Sequence, residues 1–359
     1  MLLGIIIATV YPYETLMKRT VMKKVFTVFA LCFCCALAFA ACALAGCASS
    51  GSSALSSSTA STTASNSSAT ISTTKITIGT LATEDILPCW VAQEENLYAE
   101  QGLEAEVVEF QSASELIAAI SSGSVDFAMT DPMVTASLYA SGANVQIRWV
   151  TLGVTASQGR FGIMTSDPSI ISLADLAGVP VGVGSNTILE YVMDTLFERA
   201  GITSDQVVKE ELQKLPVRYQ AMAAGTVKAA ALPASLLALG EAAEYTVVAD
   251  DTTGENISQS VMISCGSETS NSTCNAFARV WDTAVAHINA QPENYRALLV
   301  QKASLSESIA QTYEVSTYPT AALPEQSMID NVLTWMKAKG YLQDNISYDA
   351  TTGCFNGRS

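Results

Sequence analysis

Short apolar runs alternate with amphipathic stretches over most of the chain. Residues 75–80 (KITIGT) alternate apolar and polar positions as a half-buried strand does, and 103–110 repeat the signal. Between them, Leu81-Ala82-Thr83-Glu84-Asp85 caps a predicted helix that runs through Trp90 to about Gln101 and ends at Gly102. Ser112 and Glu115 have the spacing of a capping box at the start of a second helix, closed by Gly123. Residues 125–130, 145–153 and 161–165 add three more strands. Short loops between alternating elements predict parallel sheets with helices on both faces.

The clearest strand-turn-helix unit is 179–200, VPVGVGSNTILEYVMDTLFERA. Residues 179–183 are a valine-rich strand. Ile188, Leu189, Val192, Met193, Leu196 and Phe197 then form one face of a helix stopped by Gly201. Gly184-Ser185-Asn186-Thr187 between them offers N-cap side chains. Such a turn also aims free N–H groups and a positive helix end into a crevice. Strands follow at 207–212, 228–232 and 246–249, and another at 260–264. Phe277, Val280, Trp281, Ala284, Val285 and Ile288 form a later helix stripe, with His287 at its edge. Met328, Ile329, Val332, Leu333 and Met336 form the last stripe, before Gly340.

The N-terminal region is different. Lys23 and Lys24 precede an apolar run over 25–43, the form of a secretory signal. It ends in Leu44-Ala45-Gly46-Cys47, which resembles the bacterial lipobox, so residues 1–47 are expected to be a leader cut before a lipidated Cys47. The alternative is an uncleaved membrane anchor. Residues 1–21 fit neither role, and Met17 and Met22 each begin a better signal than Met1. Residues 48–74 are nearly all Ser, Thr, Ala and Gly, too polar to bury a core, and predict a tether of roughly 30 Å root-mean-square span.

Charge and cysteine content narrow the function. The chain has 34 acidic and 18 basic residues, a formal net charge of −16, and loss of the leader takes it to −19 because Lys18, Arg19, Lys23 and Lys24 leave with Glu14. Nucleic acid is excluded as a partner for such a surface. Beyond Cys47 only Cys89, Cys265, Cys274 and Cys354 remain, with no CxxC and one histidine, so no metal centre or cofactor is expected. Cys265 and Cys274 bracket a polar loop and are either a disulfide or two free thiols. GxSxG, GxxxxGK[ST] and GxGxxG are all absent. No catalytic set is recognisable.

Three segments carry a family resemblance. KITIGT (75–80) with NLYAEQGLEAEVVEF (96–110), then SELIAAISSGSVDFAMTD (114–131), then PVRYQAMAAGTVKAAALP (216–233), together with the turn at 184–187, resemble the sulfonate, taurine, nitrate and thiamine-precursor binding proteins of ABC importers. The likeness extends over about residues 75–342. It implies an α/β, two-lobed type II periplasmic-binding-protein fold, each lobe a mixed, mainly parallel sheet flanked by helices, with two hinge strands. Lobe 1 is expected at 75–162 and 259–345, lobe 2 at 163–258, a tail at 346–359, and the crossings at 160–165 and 260–264. The implied protein is a monomer that is lipid-anchored outside the cytoplasm. It captures a small molecule by hinge closure and delivers it to ABC permease and ATPase subunits. A tethered ligand sensor is the first alternative, and a thiamine-pyrimidine-synthase-like enzyme the second. The thiamine-pyrimidine synthases share the implied fold but carry a cysteine-rich motif and histidines that this chain lacks.

In such folds, ligands meet the carboxyl ends of parallel strands. That rule selects Thr83, Glu84, Asp85, Thr130, Asp131, Gln158 and Arg160 in lobe 1, and Ser185, Asn186, Thr187 and Arg218 in lobe 2. Each has a plainer reading: Thr83, Ser185 and Thr187 as caps, Glu84 and Asp85 as first-turn acids, Asp131 as a helix start before Pro132, the arginines as solvated ion pairs. The turn and the arginines suit a sulfonate or other oxyanion. The paired acids suit an amine or a protonated, thiamine-precursor-like heterocycle.

Overall fold

Strand β1 (Thr74–Leu81) buries Ile76, Ile78 and Thr80 on one side and pairs in parallel, over its full length, with β2 (Leu103–Phe110). A computed structural model describes residues 73–358 apart from 268, 304, 306–308 and 344, so Cys47 and the tether up to residue 72 lie outside the described residues. The expected single helix between β1 and β2 is broken. A 3₁₀ turn (Glu84–Ile86) leads into α1 (Leu87–Glu94), and Asn96, at φ 59°, separates it from α2 (Leu97–Glu100). Asparagine is among the few residues that tolerate this left-handed backbone, which interrupts the helix there.

Helix α3 (Ala113–Ser121) starts at Ser112 as expected, but the expected capping box forms only in half, its return bond falling one residue early. The Glu115 amide donates to Ser112 Oγ at 3.2 Å, and the Glu115 carboxylate accepts from the Gln111 amide at 2.9 Å. Strand β3 (Phe127–Thr130) delivers Asp131, which caps α4 (Pro132–Ala140), and β4 (Val145–Leu152) follows. The second lobe holds β5 (Phe161–Thr165), β6 (Pro180–Val183), α5 (Ile188–Arg199), β7 (Val208–Glu211), α6 (Leu215–Ala223), β8 (Ala229–Pro233), α7 (Ala234–Ala242) and β9 (Thr246–Asp250). The chain then returns as β10 (Ser260–Cys265), α8 (Asn271–Ala290), α9 (Arg296–Lys302) and α10 (Gln326–Ala338).

Two mixed five-stranded sheets result, ordered β2-β1-β3-β10-β4 and β7-β6-β8-β5-β9. In each, four strands run parallel and one, β10 or β5, runs against its neighbours. Helices flank both, so the fold is α/β and two-lobed, as expected. The crossings differ in position from the expected ones. Residues 161–165 and 260–264 are strands inside the sheets, and the chain passes between lobes through the irregular segments 153–160 and 251–259. β-branched runs mark where sheet pairing resumes, not where the chain changes lobe. The two segments are tied together: the Phe161 amide donates to Asp251 Oδ1 (2.8 Å), the Asp251 amide to the Phe161 carbonyl (3.1 Å), and Asn256 Nδ2 to the Gly153 carbonyl (2.6 Å).

The core of lobe 1 centres on aromatics. Phe277 of α8 meets Phe127 edge-on at 4.8 Å and Trp149 at 5.1 Å, and Trp149 lies 5.8 Å from Trp281. His287, on the rim of the same helix, pairs with Glu95 (2.6 Å), away from the cleft. Cys89, Cys265, Cys274 and Cys354 are all free thiols, so the bracketed loop is not closed by a disulfide. The last residues, expected as a tail, form a hairpin of β11 (Ser347–Asp349) and β12 (Cys354–Asn356) beside the edge strand β4. The Ile147 amide donates to the Gly353 carbonyl at 2.9 Å. A Cβ at Gly353 would stand 2.1 Å from the Ile147 carbonyl oxygen, so only glycine lets the hairpin shield that edge.

Candidate functional site

Between the lobes lies a cavity of about 60 Å³, several times the space one water needs. Lobe 1 supplies Thr83 and Asp85 from the turn after β1, Thr130 and Asp131 from the end of β3, and Ser260 from the start of β10. Lobe 2 supplies Phe161, Thr187, Gln213, Arg218 and Pro233. Leu116, Met129, Leu189 and Leu215 make much of the remaining wall apolar.

Asp131 spans the two lobes. Its Oδ1 accepts from the Val134 amide (2.8 Å), capping its own helix, while its Oδ2 accepts from the Ile188 amide (3.0 Å), the first residue of α5 across the cleft. One carboxylate therefore sits at two positive helix ends. Burial nevertheless pushes its pKa up to about 6, against the pull of these amides. Asp85 is buried beside it and accepts from the Ser260 hydroxyl.

Arg218 is 2% exposed. Its guanidinium donates to main-chain carbonyls only: Leu212 (2.7 Å), Ala231 (3.0 Å) and Gln213 (3.3 Å). Burial lowers its pKa to about 10, with Glu211 opposing the shift. Gly184 makes room for it, since a Cβ there would stand 2.7 Å from Arg218 Nη2.

Of the residues expected at the site, the structure brings Thr83, Asp85, Thr130, Asp131, Thr187 and Arg218 together at the cavity. Five lie elsewhere. Glu84 is buried behind Asp85, accepts from the Tyr313 hydroxyl (2.6 Å), and has its pKa pushed up to about 7 by burial. Gln158 folds back within the first crossing to accept from the Val154 amide (2.9 Å). Arg160 pairs with Asp250 (2.8 Å) and Glu241 (3.0 Å). The turn expected to cradle an anion is filled by the protein's own acids. Glu211 takes the Ser185 amide and hydroxyl, and Glu190 takes the Asn186 amide (2.6 Å). Thr187 Oγ1 donates to the Gly184 carbonyl at 2.7 Å.

The strand-end rule missed Ser260 and Phe161 for one reason. Each opens an antiparallel strand, so its amino end lies where the parallel strands have their carboxyl ends. Gln213 and Leu215 follow the carboxyl end of β7, where the same rule points, and could have been found with it.

Among the described residues, no group of three His, Cys, Asp or Glu side chains could hold a metal ion, and no helix is long and apolar enough to cross a membrane. The arrangement suits binding: an enclosed, polar-studded space contacted by both lobes.

Comparison with known proteins agrees with this architecture. The alkanesulfonate-binding protein SsuA from Xanthomonas axonopodis pv. citri, bound to MOPS, superposes with a TM-score of 0.65 at 15% identity, over 75% of this chain and 94% of that one. The periplasmic aliphatic sulphonate binding protein SsuA from Escherichia coli gives 0.62 at 16% identity, over 75% and 88%. The periplasmic nitrate-binding protein NrtA from Synechocystis PCC 6803 gives 0.60 at 12% identity, over 76% and 83%. At such identities the likeness speaks for the fold. No curated protein sequence matches the chain. The family described as "NMT1/THI5 like" matches residues 83–295, more than half of the sequence and most of both lobes, and the chain belongs to that family.

Proposed function

We propose that this protein is the solute-binding component of an ABC importer, tethered outside the cytoplasm by a lipid on Cys47 and presenting a captured small molecule to the permease. The observation that carries the reading is the cavity itself, walled by Asp85, Asp131 and Ser260 from one lobe and by Gln213 and Arg218 from the other. A solute touching both sets of groups stabilises the state in which the lobes meet, which is how binding becomes a shape the permease can recognise. The fold shared with the alkanesulfonate- and nitrate-binding proteins supports the same role.

Mass spectrometry of small molecules released by denaturing the purified protein tests the reading directly. One solute per chain, chemically unchanged after incubation and raising the melting temperature when added back, is the expected result. Turnover of that solute would replace transport by catalysis. Normal uptake after deletion of the partner permease would favour a sensor. For the anchor, Cys47→Ala is expected to move the protein from the membrane to the soluble fraction, because one thiol carries all the lipid. Retention of the variant on membranes in high salt would return the uncleaved-anchor alternative.

A further inference from the structure

The cavity is lined by buried ionisable side chains of both signs that form no ion pair among the described residues. Arg218 uses three of its five N–H groups on main-chain carbonyls, and among the described residues no carboxylate is in salt-bridge contact with it, Glu211 acting on it only from further away. On the facing lobe, Asp85 is met by the Ser260 hydroxyl and Asp131 by two backbone amides, again with no cation among the described residues. Buried charges ordinarily persist only when paired, because desolvation is not otherwise repaid. Meanwhile three N–H groups of the turn and first residue of α5 are taken by the protein's own acids. Glu211 holds that of Ser185, Glu190 that of Asn186, and Asp131 that of Ile188.

We propose that the cavity takes a small dipolar solute, its anionic end on Arg218 and an ammonium or comparable N–H cation between Asp85 and Asp131. This rests on the solute-binding reading and names the ligand class of the same site. The upward pull on Asp131 and the downward pull on Arg218 share one main cause, burial, which Glu211 offsets only in part at Arg218, and such a solute relieves both. The apolar wall of Leu116, Met129, Leu189 and Leu215 suits a short carbon spacer, and the space limits it to a few heavy atoms. An anion lacking the cationic group would meet Asp85 and Asp131 as like charges, so it is selected against.

Titration calorimetry on solute-free protein tests this with glycine, β-alanine and γ-aminobutyrate as dipolar probes, propionate and ethanesulfonate as anions, and propylamine as a cation. At least one dipolar probe is expected to bind about tenfold or more tightly than any singly charged one. Asp85→Asn is expected to weaken that probe by about tenfold while leaving propionate unchanged or slightly improved. Arg218→Gln should abolish both, and if it fails to fold, the Asp85→Asn comparison stands alone. Equal or tighter binding of propionate or ethanesulfonate, or a dipolar affinity indifferent to Asp85→Asn, overturns the ligand class and leaves solute binding intact. If no probe binds, the solute released from the purified protein decides. A dipolar compound supports the class, a singly charged one overturns it, and release of none overturns solute binding as well.

Discussion

Gly184 leaves no room for a side chain, and that fact reaches the ligand through Arg218. The guanidinium is pinned by three carbonyls, so it cannot simply swing away from an added methyl 2.7 Å from Nη2. Gly184→Ala is therefore expected to lower solute affinity clearly while costing only about 1 kcal/mol of stability, the low end for local overpacking. Calorimetry and thermal melting on the same samples separate the two effects; an unchanged affinity would place the ligand away from Arg218. Glu84 makes a second residue-scale test. Burial raises its pKa from the usual 4.5 to about 7, with Asp85 and Asp251 adding to the rise and the Tyr313 hydroxyl opposing it. A carboxyl that holds its proton more tightly folded than unfolded favours the fold at low pH, and that contribution is lost as pH rises from about 4.5 through about 7. Glu84→Gln should thus flatten the decline of stability with pH across that window in denaturant titrations. An identical slope would mean that Glu84 is hydrated in solution.

At the level of elements, the contact between lobes runs along α5. Asp194 on this helix receives Lys339 (2.7 Å) and Trp335 Nε1 (3.1 Å) from the end of lobe 1, as well as Lys209 (2.8 Å) from its own lobe. Tyr341 donates to Glu190 (3.1 Å), and Asn186 Nδ2 donates to Ser137 Oγ (2.7 Å). Asp194→Asn keeps the shape and removes the charge. It should loosen this clamp, seen as a larger radius of gyration in small-angle scattering of solute-free protein. Scattering identical to the parent would mean the apolar contacts alone hold the lobes. None of these contacts could be read from the sequence, because partners such as Asp131 and Ile188 or Asp194 and Trp335 are distant in the chain. Local signals served well where the physics is local. The valine-rich run 179–183 became β6, the short apolar run 228–232 became β8, and Ser112 opened α3. They failed where it is not: 184–187 reads as an open anion cradle until Glu190 and Glu211 are seen filling it. The break at Asn96 was likewise hidden, since apolar periodicity continues across it.

At the scale of the molecule, the chain makes its second lobe as an insertion. All five strands of that sheet fall within residues 161–250, whereas the first sheet needs β10 from beyond the return crossing. Moreover β10 is not an added margin; it lies between β3 and β4, bonded to both. During synthesis, β1 to β4 therefore emerge with a vacant slot in the middle of their sheet, and it stays vacant until the whole inserted lobe has followed. Two unpaired strand edges facing each other invite wrong partners. The inserted lobe can complete its own sheet first, bringing Phe161 and Asp251 together and carrying Ser260 back to the gap. The order in which this protein becomes safe from aggregation is thus set by strand order: second lobe first, then the closing of the first by a strand that also begins at the ligand cavity.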